Sequence, residues 1–405
     1  MQSILVYYRM NNGHFRTYCD DKGARSGGEY ETRAKMPLLK KHRFELMPGF
    51  KADDEGLLQF FNKFCEDREE LLERFNFDIL FCDYKKKHFF NSSNLMTLRF
   101  FQKYENKVDM SPISFTESEL FDKCYCAGMV YGETGIHENI YDYDYTMFYP
   151  RLLTEFEFPV SEGYYSEFHD VSYDDVKTLK YGMYHCIIDI DNPDCRKVFM
   201  QKKTKDGYSN WHTHYDIIMA LKLQKYRGGV TIRPLGMCYV YDELVDGKTV
   251  FGPWYNKLYT FKKTFPKNII VKKLSSSLWG YLTQSNKKIY DEDEAEELDL
   301  TWDKNDKEGM YVIDYIEYKT CNKYTLVDLS KPLYKFNYRI KPFITAFGRS
   351  KMCETLFCCL PDVVRIATDG FMIKGPYKKF VKSKMKIEGE NMTIDIKNMS
   401  NYDIL

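Results

Sequence analysis

No run of apolar residues in this 405-residue sequence approaches the ~20 needed to cross a bilayer, and residues 1–10 are too polar for a secretory signal. Net charge is missing as well: 59 basic residues balance 59 acidic ones, so no overall field announces an anionic partner. Twelve cysteines occur without a CxxC pair or a Cys/His set at zinc-ligand spacing, which leaves reduced, mostly buried thiols as the expectation. The expected setting is intracellular, with no membrane partner.

What is present is a chain long enough for two or three domains, with 44% hydrophobic residues to fill their cores. Charge is patterned locally. Six lysines and no acid fall between residues 257 and 273 (Lys257, Lys262, Lys263, Lys267, Lys272, Lys273), interleaved with Tyr259, Phe261 and Phe265. A second basic stretch spans 374–386, whereas 291–299 holds seven acids in nine positions and reads as an exposed loop. The 34 tyrosines suit base stacking and an ordinary core equally, and decide nothing.

Periodicity gives a mixed α+β order. Helical spacing is read at 55–75, 92–104, 151–156, 215–223, 254–264, 269–283 and 341–360, the last closed by Pro361. Strand-like runs are read at 80–88, 139–144, 183–190, 229–232, 237–240, 363–366 and 371–373. Asp369-Gly370, between the last two, is the signature of a tight hairpin. His212 and His214 lack a cysteine or carboxylate partner set, so they are expected to be structural.

Two aspartates carry the chemistry of this reading. Asp144 ends a strand-like run and opens Asp144-Tyr145-Thr146-Met147-Phe148-Tyr149-Pro150. Asp369 stands at the hairpin tip in Arg365-Ile366-Ala367-Thr368-Asp369-Gly370-Phe371. Between them lie Lys272-Lys273-Leu274-Ser275-Ser276-Ser277-Leu278-Trp279-Gly280 and Thr345-Ala346-Phe347-Gly348-Arg349. Adding a nucleotide to a 3′ hydroxyl uses two divalent metals roughly 3.5–4 Å apart, so carboxylates must converge from separate strands. Magnesium keeps several waters, so two carboxylates, a backbone carbonyl and the substrate phosphates suffice. Lysines on a helix, Lys272 foremost, can neutralise the triphosphate as pyrophosphate leaves, and Tyr149 can pack against the incoming sugar.

At these residues the chain resembles the family B DNA polymerases, specifically the protein-primed branch of phages, viruses and linear plasmids. The first motif is similar to Asp-x-x-Ser-Leu-Tyr-Pro, the second to Lys-x-x-x-Asn-Ser-x-Tyr-Gly, and 366–371 to Asp-Thr-Asp-Ser followed by an apolar residue. Tyr125-Cys126-Ala127-Gly128 resembles the Tyr-x-Gly-Gly/Ala element and 345–349 the Thr-x-x-Gly-Arg element. The resemblance implies an α+β right-hand palm, an antiparallel sheet backed by helices, with helical fingers and an inserted α/β subdomain. It implies DNA-directed DNA synthesis with two Mg²⁺ ions, Mn²⁺ being an alternative, on a primer-template with dNTPs. Asp144 and Asp369 would be catalytic and, with the Tyr145 carbonyl, would hold the metals. Tyr145, Tyr149, Lys262, Lys272, Ser276, Trp279 and Gly280 would bind the dNTP, Tyr149 as the gate against a ribose 2′ hydroxyl. Tyr125, Gly128, Thr345, Gly348, Arg349 and Thr368 would bind DNA.

The implied order is an N-terminal region and connector without exonuclease motifs at 1–120 and a first palm segment at 121–156. An insertion follows at 157–250, similar in place to the part that contacts a terminal protein, then fingers at 251–285, a second palm segment at 286–390 and a tail at 391–405 with the thumb truncated or absent. Proofreading is expected to be absent, and a separate exonuclease or thumb subunit or a terminal protein is an expected partner. The host-cell cytoplasm would be the compartment. Ala367 stands where the family has an aspartate, Gly370 replaces its serine, Ser276 its asparagine, Trp279 its tyrosine and Met147 its serine. Ala367 motivates an alternative, a weak or inactive nucleic-acid-binding subunit of a replication complex; a template-independent or protein-attached synthesising enzyme is a further one.

Overall fold

Antiparallel strands organise the chain around the two aspartates. The computed structural model describes residues 6–11, 14–19, 30–35, 66, 67, 70, 93–204, 207–291, 310–316, 323–328, 332–377, 380 and 385–405. Two compact units divide it, residues 105–255 with 279–405, and residues 1–104 with 256–278. Each is taken by itself.

In the larger unit, helix α1 (Phe115–Cys124) starts from a capping box in which Ser114 and Glu117 satisfy each other's backbone N–H groups. Strands β1 (Val130–Gly132) and β2 (Gly135–Tyr145) follow. Met147, at φ 53°, turns the chain from β2 into the short helix α2 (Phe148–Leu152). A four-stranded sheet then forms from β3 (Tyr164–Phe168), β4 (Gly182–Ile190), β5 (Trp211–Thr213) and β6 (Val230–Val240), in the order β5-β4-β6-β3. Its helix α3 (His214–Arg227) begins at the Thr213/Asp216 capping box and ends at Gly228, where φ of 71° breaks the helix. The runs expected separately at 229–232 and 237–240 are one strand, bulged between Pro234 and Cys238.

Helix α4 (Lys341–Leu356) is the core of this unit and is buried along most of its length. It packs on α1, α2 and α3. Just before it, the fully buried Arg339 pairs with Glu117 at 2.9 Å and donates to the carbonyls of Ser111 and Pro112. Strands β7 (Val363–Ala367) and β8 (Gly370–Lys374) form the expected hairpin. The region expected as a tail instead continues the sheet: β9 (Met385–Asn398) pairs with β2, and β10 (Asn401–Ile404) pairs with β9. The resulting six-stranded order is β10-β9-β2-β8-β7-β1, antiparallel throughout. One face is filled by Tyr143 stacked on Phe371 at 5.6 Å; the other carries Ile140, Met372, Ile394 and Ile396 as a small apolar cluster. Three further strands, Lys287–Asp291, Met310–Ile316 and Lys323–Asp328, make a separate sheet.

The smaller unit holds an antiparallel sheet of Val6–Asn11, His14–Cys19 and Tyr30–Lys35, and a helix Ser93–Tyr104 packed on the helix Ile269–Ser276. Phe100 stacks on Phe261 at 5.6 Å. The Asn268 side chain caps the N-terminus of Ile269–Ser276, and the Asp67 carboxylate accepts from the Ile269 N–H at 2.6 Å. The Asp-x-Glu spacing that opens an exonuclease site in the family does occur in this range, at 53–55 and 67–69, so reading 1–120 as free of such motifs was too strict. The helical reading at 55–75 is described only at 66, 67 and 70, and the strand at 80–88 and the acidic loop at 292–299 lie outside the described residues.

Cys124, Cys126, Cys186, Cys195, Cys238, Cys353 and Cys359 are free and buried, and Cys358 is free and exposed. His212 and His214 are buried and held neutral, their pKa values pushed down by burial to about 4 and about 3. Among the described residues no helix is long and apolar enough to cross a membrane.

Candidate active site

Strand pairing sets the two aspartates together. Gly370 lies directly across from Asp144 in the β2/β8 ladder, and the Tyr145 N–H donates to the Asp369 carbonyl at 2.9 Å. The hairpin tip is Thr368-Asp369, and Thr368 takes φ of 61°, a left-handed conformation unfavourable for a β-branched residue. Its N–H donates to the Met129 carbonyl at 2.7 Å, which holds the tip in place. Such strain persists where the surroundings over-determine it, and it concentrates at functional positions.

The electrostatics of Asp144 are those of a site short of positive charge. Its carboxyl is pushed up from 3.8 to about 7, first by burial, then by the Asp369 carboxylate and by Glu388 and Asp142. Lys386, which faces Asp144 from β9, pulls the other way while pairing with Glu388 at 2.8 Å. A β-carbon at residue 370 would lie 3.0 Å from Asp144 Oδ1, so glycine at this position leaves that oxygen room. Among the described residues no three His, Cys, Asp or Glu side chains form a metal cluster by themselves.

Tyr149, one turn beyond Asp144, is where the remaining motifs meet. Its ring stacks on Trp279 at 5.4 Å and is nearly buried. A β-carbon at Gly128 would lie 2.9 Å from the Tyr149 hydroxyl and 2.7 Å from Thr368 Cγ2; one at Gly348 would lie 3.5 Å from Tyr149 Cε1. Residues of three other sequence elements thus pack against Tyr149. Tyr145 serves the scaffold with its side chain: it stacks on Phe148 at 4.8 Å and hydrogen-bonds Thr355.

Thr345 and Arg349, expected at DNA, are buried in α4. Thr345 donates to the Pro342 carbonyl at 3.3 Å. Arg349 donates to the carbonyls of Cys126 and Ala127 at 2.7 and 2.8 Å and to Asp216 at 2.8 Å. Tyr125 is half-buried beneath Lys341, whose Nζ lies 5.5 Å from the ring. Gly280 is exposed in the helix Leu278–Leu282. Lys262, Lys272 and Ser276 belong to the smaller unit, where Lys272 and Ser276 are exposed and Lys262 donates to the Pro266 carbonyl at 3.2 Å. Sequence reading missed Asp142, Asp216 and Glu388; Thr213-x-x-Asp216 is a capping-box signature that marked Asp216 as a fixed position.

No family profile and no curated protein matches this sequence. Solved structures do. Phi29 DNA polymerase complexed with single-stranded DNA is similar at TM-score 0.52 and 14% identity, over 98% of this chain and 72% of that one. Its post-translocation binary complex with primer-template DNA gives TM-score 0.52 at 13% identity over the same shares, and the orthorhombic crystal form gives 0.50 at 13% over 98% and 76%. Against the ternary complex the chain spans 61% of that chain's length. The fold is that of a DNA polymerase of this kind.

Proposed function

We propose that this chain is a DNA-directed DNA polymerase of the family B kind, moving a deoxynucleoside monophosphate from a dNTP to a primer 3′ hydroxyl. The observation that carries the reading is the adjacency of Asp144 and Asp369 at the ends of neighbouring antiparallel strands, with Tyr149 packed by residues of three other motifs, Gly128, Gly348 and Trp279. The donor set fits two Mg²⁺ ions, or Mn²⁺: Asp144 is raised to about 7 by burial and by Asp369, and a divalent cation supplies the charge that would lower it. Asp144, Asp369 and the Tyr145 carbonyl would hold these ions, which, when bound, activate the attacking oxygen and stabilise the leaving pyrophosphate.

The chain's own groups supply position. Asp144 and Asp369 must be unprotonated to act as ligands, so a proton and a divalent cation compete for Asp144. Tyr149, held edge and face by Gly128, Gly348 and Trp279, presents a fixed wall to the 2′ carbon of the sugar and excludes a hydroxyl there by contact. Lys262 is assigned to the triphosphate on its place in the basic run 257–273, and Lys272 on its motif alone. The same holds for the dNTP role of Ser276 and Gly280, and for the assignment of 157–250 to a terminal protein.

Primer extension with purified protein, single dNTPs or rNTPs, and template present or absent tests the proposal. Template-directed dNTP incorporation supports it, and Tyr149→Ala is expected to admit ribonucleotides. Incorporation without template supports the template-independent reading instead, and no incorporation with either divalent metal supports the inactive subunit suggested by Ala367.

A further inference from the structure

A buried ionic network links the inserted four-stranded subdomain to the Tyr149 pocket. Asp216 lies in the first turn of α3, and its two oxygens divide the work. Oδ2 accepts from the Thr213 hydroxyl at 2.7 Å and from the Thr213 N–H at 3.1 Å; Oδ1 accepts from Arg349 Nη2 at 2.8 Å. Arg349 Nη1 reaches the carbonyls of Cys126 and Ala127 at 2.7 and 2.8 Å. Both side chains of the pair are almost fully buried, at 1% and 3% exposure, so water does not compete for either charge.

The segment gripped by Arg349 runs directly into the pocket. Gly128 follows Ala127 and abuts both the Tyr149 hydroxyl and the Thr368 side chain, and Met129 accepts the Thr368 N–H. The guanidinium is planar and rigid, so its hydrogen bonds to two carbonyls fix the orientation of residues 126–127, and the Asp216 carboxylate fixes the guanidinium. We infer that Asp216 is a positioning residue for the sugar gate, acting through Arg349 on residues 126–128 and so setting how closely Gly128 closes on Tyr149 and Thr368. Arg349 serves this clamp from inside the fold. The inference rests on the polymerase reading for its kinetic consequence and on geometry alone for its structural one. Burial alone would raise the Asp216 carboxyl, yet Arg349 and the Thr213 hydrogen bond hold it below the usual carboxylate range, in line with a permanently charged pair.

Asp216→Asn keeps the volume and one cap acceptor while removing the charge. The paired variant Asp216→Leu with Arg349→Met leaves no uncompensated buried charge and guards against simple unfolding. In both, hydrogen exchange across residues 126–130 is expected to accelerate while the body of α3 stays protected; unchanged exchange at 126–130 in a folded variant overturns the clamp. In single-nucleotide incorporation, discrimination for dNTP over rNTP is expected to fall about tenfold or more, chiefly through KM for the dNTP. In a Tyr149→Ala background the Asp216→Asn change should add less than about twofold, and multiplicative effects would overturn the positioning role. A wild-type protein without incorporation would defeat the polymerase reading, whereas the exchange experiment would still judge the clamp.

Discussion

Gly128 and the Tyr149 hydroxyl occupy adjoining space, since a β-carbon at residue 128 would lie 2.9 Å from that oxygen. The same β-carbon would come within 2.7 Å of Thr368 Cγ2, so the glycine is wedged between the Tyr149 hydroxyl and the hairpin tip that carries Asp369. Gly128→Ala is therefore expected to displace one or both, raising KM for dNTP by roughly tenfold. Steady-state incorporation checks this, and Thr368→Ser, which removes the clashing methyl, should restore part of the loss. Equal kinetics for Gly128→Ala and wild type would show that the pocket is looser than its geometry.

Asp144 predicts how the metal-free protein responds to pH. Its folded pKa of about 7 lies above the ordinary 3.8, so the folded state binds the extra proton between those values. Stability from this group is then full below about pH 4 and is lost as pH rises through 7. Asp144→Asn should raise the thermal midpoint at pH 8 in EDTA and flatten the fall between pH 5 and 8. Mg²⁺ should stabilise wild type at pH 8 and the variant far less, because it replaces the proton. Thermal scans with and without EDTA decide the matter.

The same proton sets the acid limb of activity. Cations and protons compete for Asp144, so the Mg²⁺ concentration giving half-maximal incorporation should rise about tenfold per pH unit below pH 7. Lys386→Ala removes the cation that lowers the Asp144 pKa and should move that limb to higher pH. A limb that stays in place would remove Lys386 from the site's electrostatics.

Glu117 and Arg339 form a pair with no exposure on either side chain. Glu117→Gln leaves a buried guanidinium without its countercharge and should cost about 3–5 kcal/mol. Urea denaturation measures this. The loss should be global, because the pair joins the capping box of α1 to the residues entering α4.

The hairpin around Asp369 was legible because Asp-Gly between two short apolar runs has few other solutions, and β7 and β8 formed as read. Helix 92–104 was found to within one residue at each end, and 215–223 to within one residue at its start and four at its end. Residues 391–405 read as a tail, although the alternation of Ile394 and Ile396 with polar residues was a strand signal. Arg349 was legible as important and not as buried: its partner Asp216 lies 133 positions earlier, and no local pattern reports that contact. Glu388 was hidden by a register shift in β9 between Ile387 and Gly389, which alternation does not anticipate.

The central claim is that Asp144 and Asp369 together support nucleotide transfer. Single-turnover extension of a primer-template by one dNTP, comparing wild type with Asp144→Ala and Asp369→Ala at equal folded fraction, tests it most directly. The account predicts Mg²⁺- or Mn²⁺-dependent extension by wild type and a loss of at least about 10³-fold in each variant. Extension by either variant at the wild-type rate would contradict it.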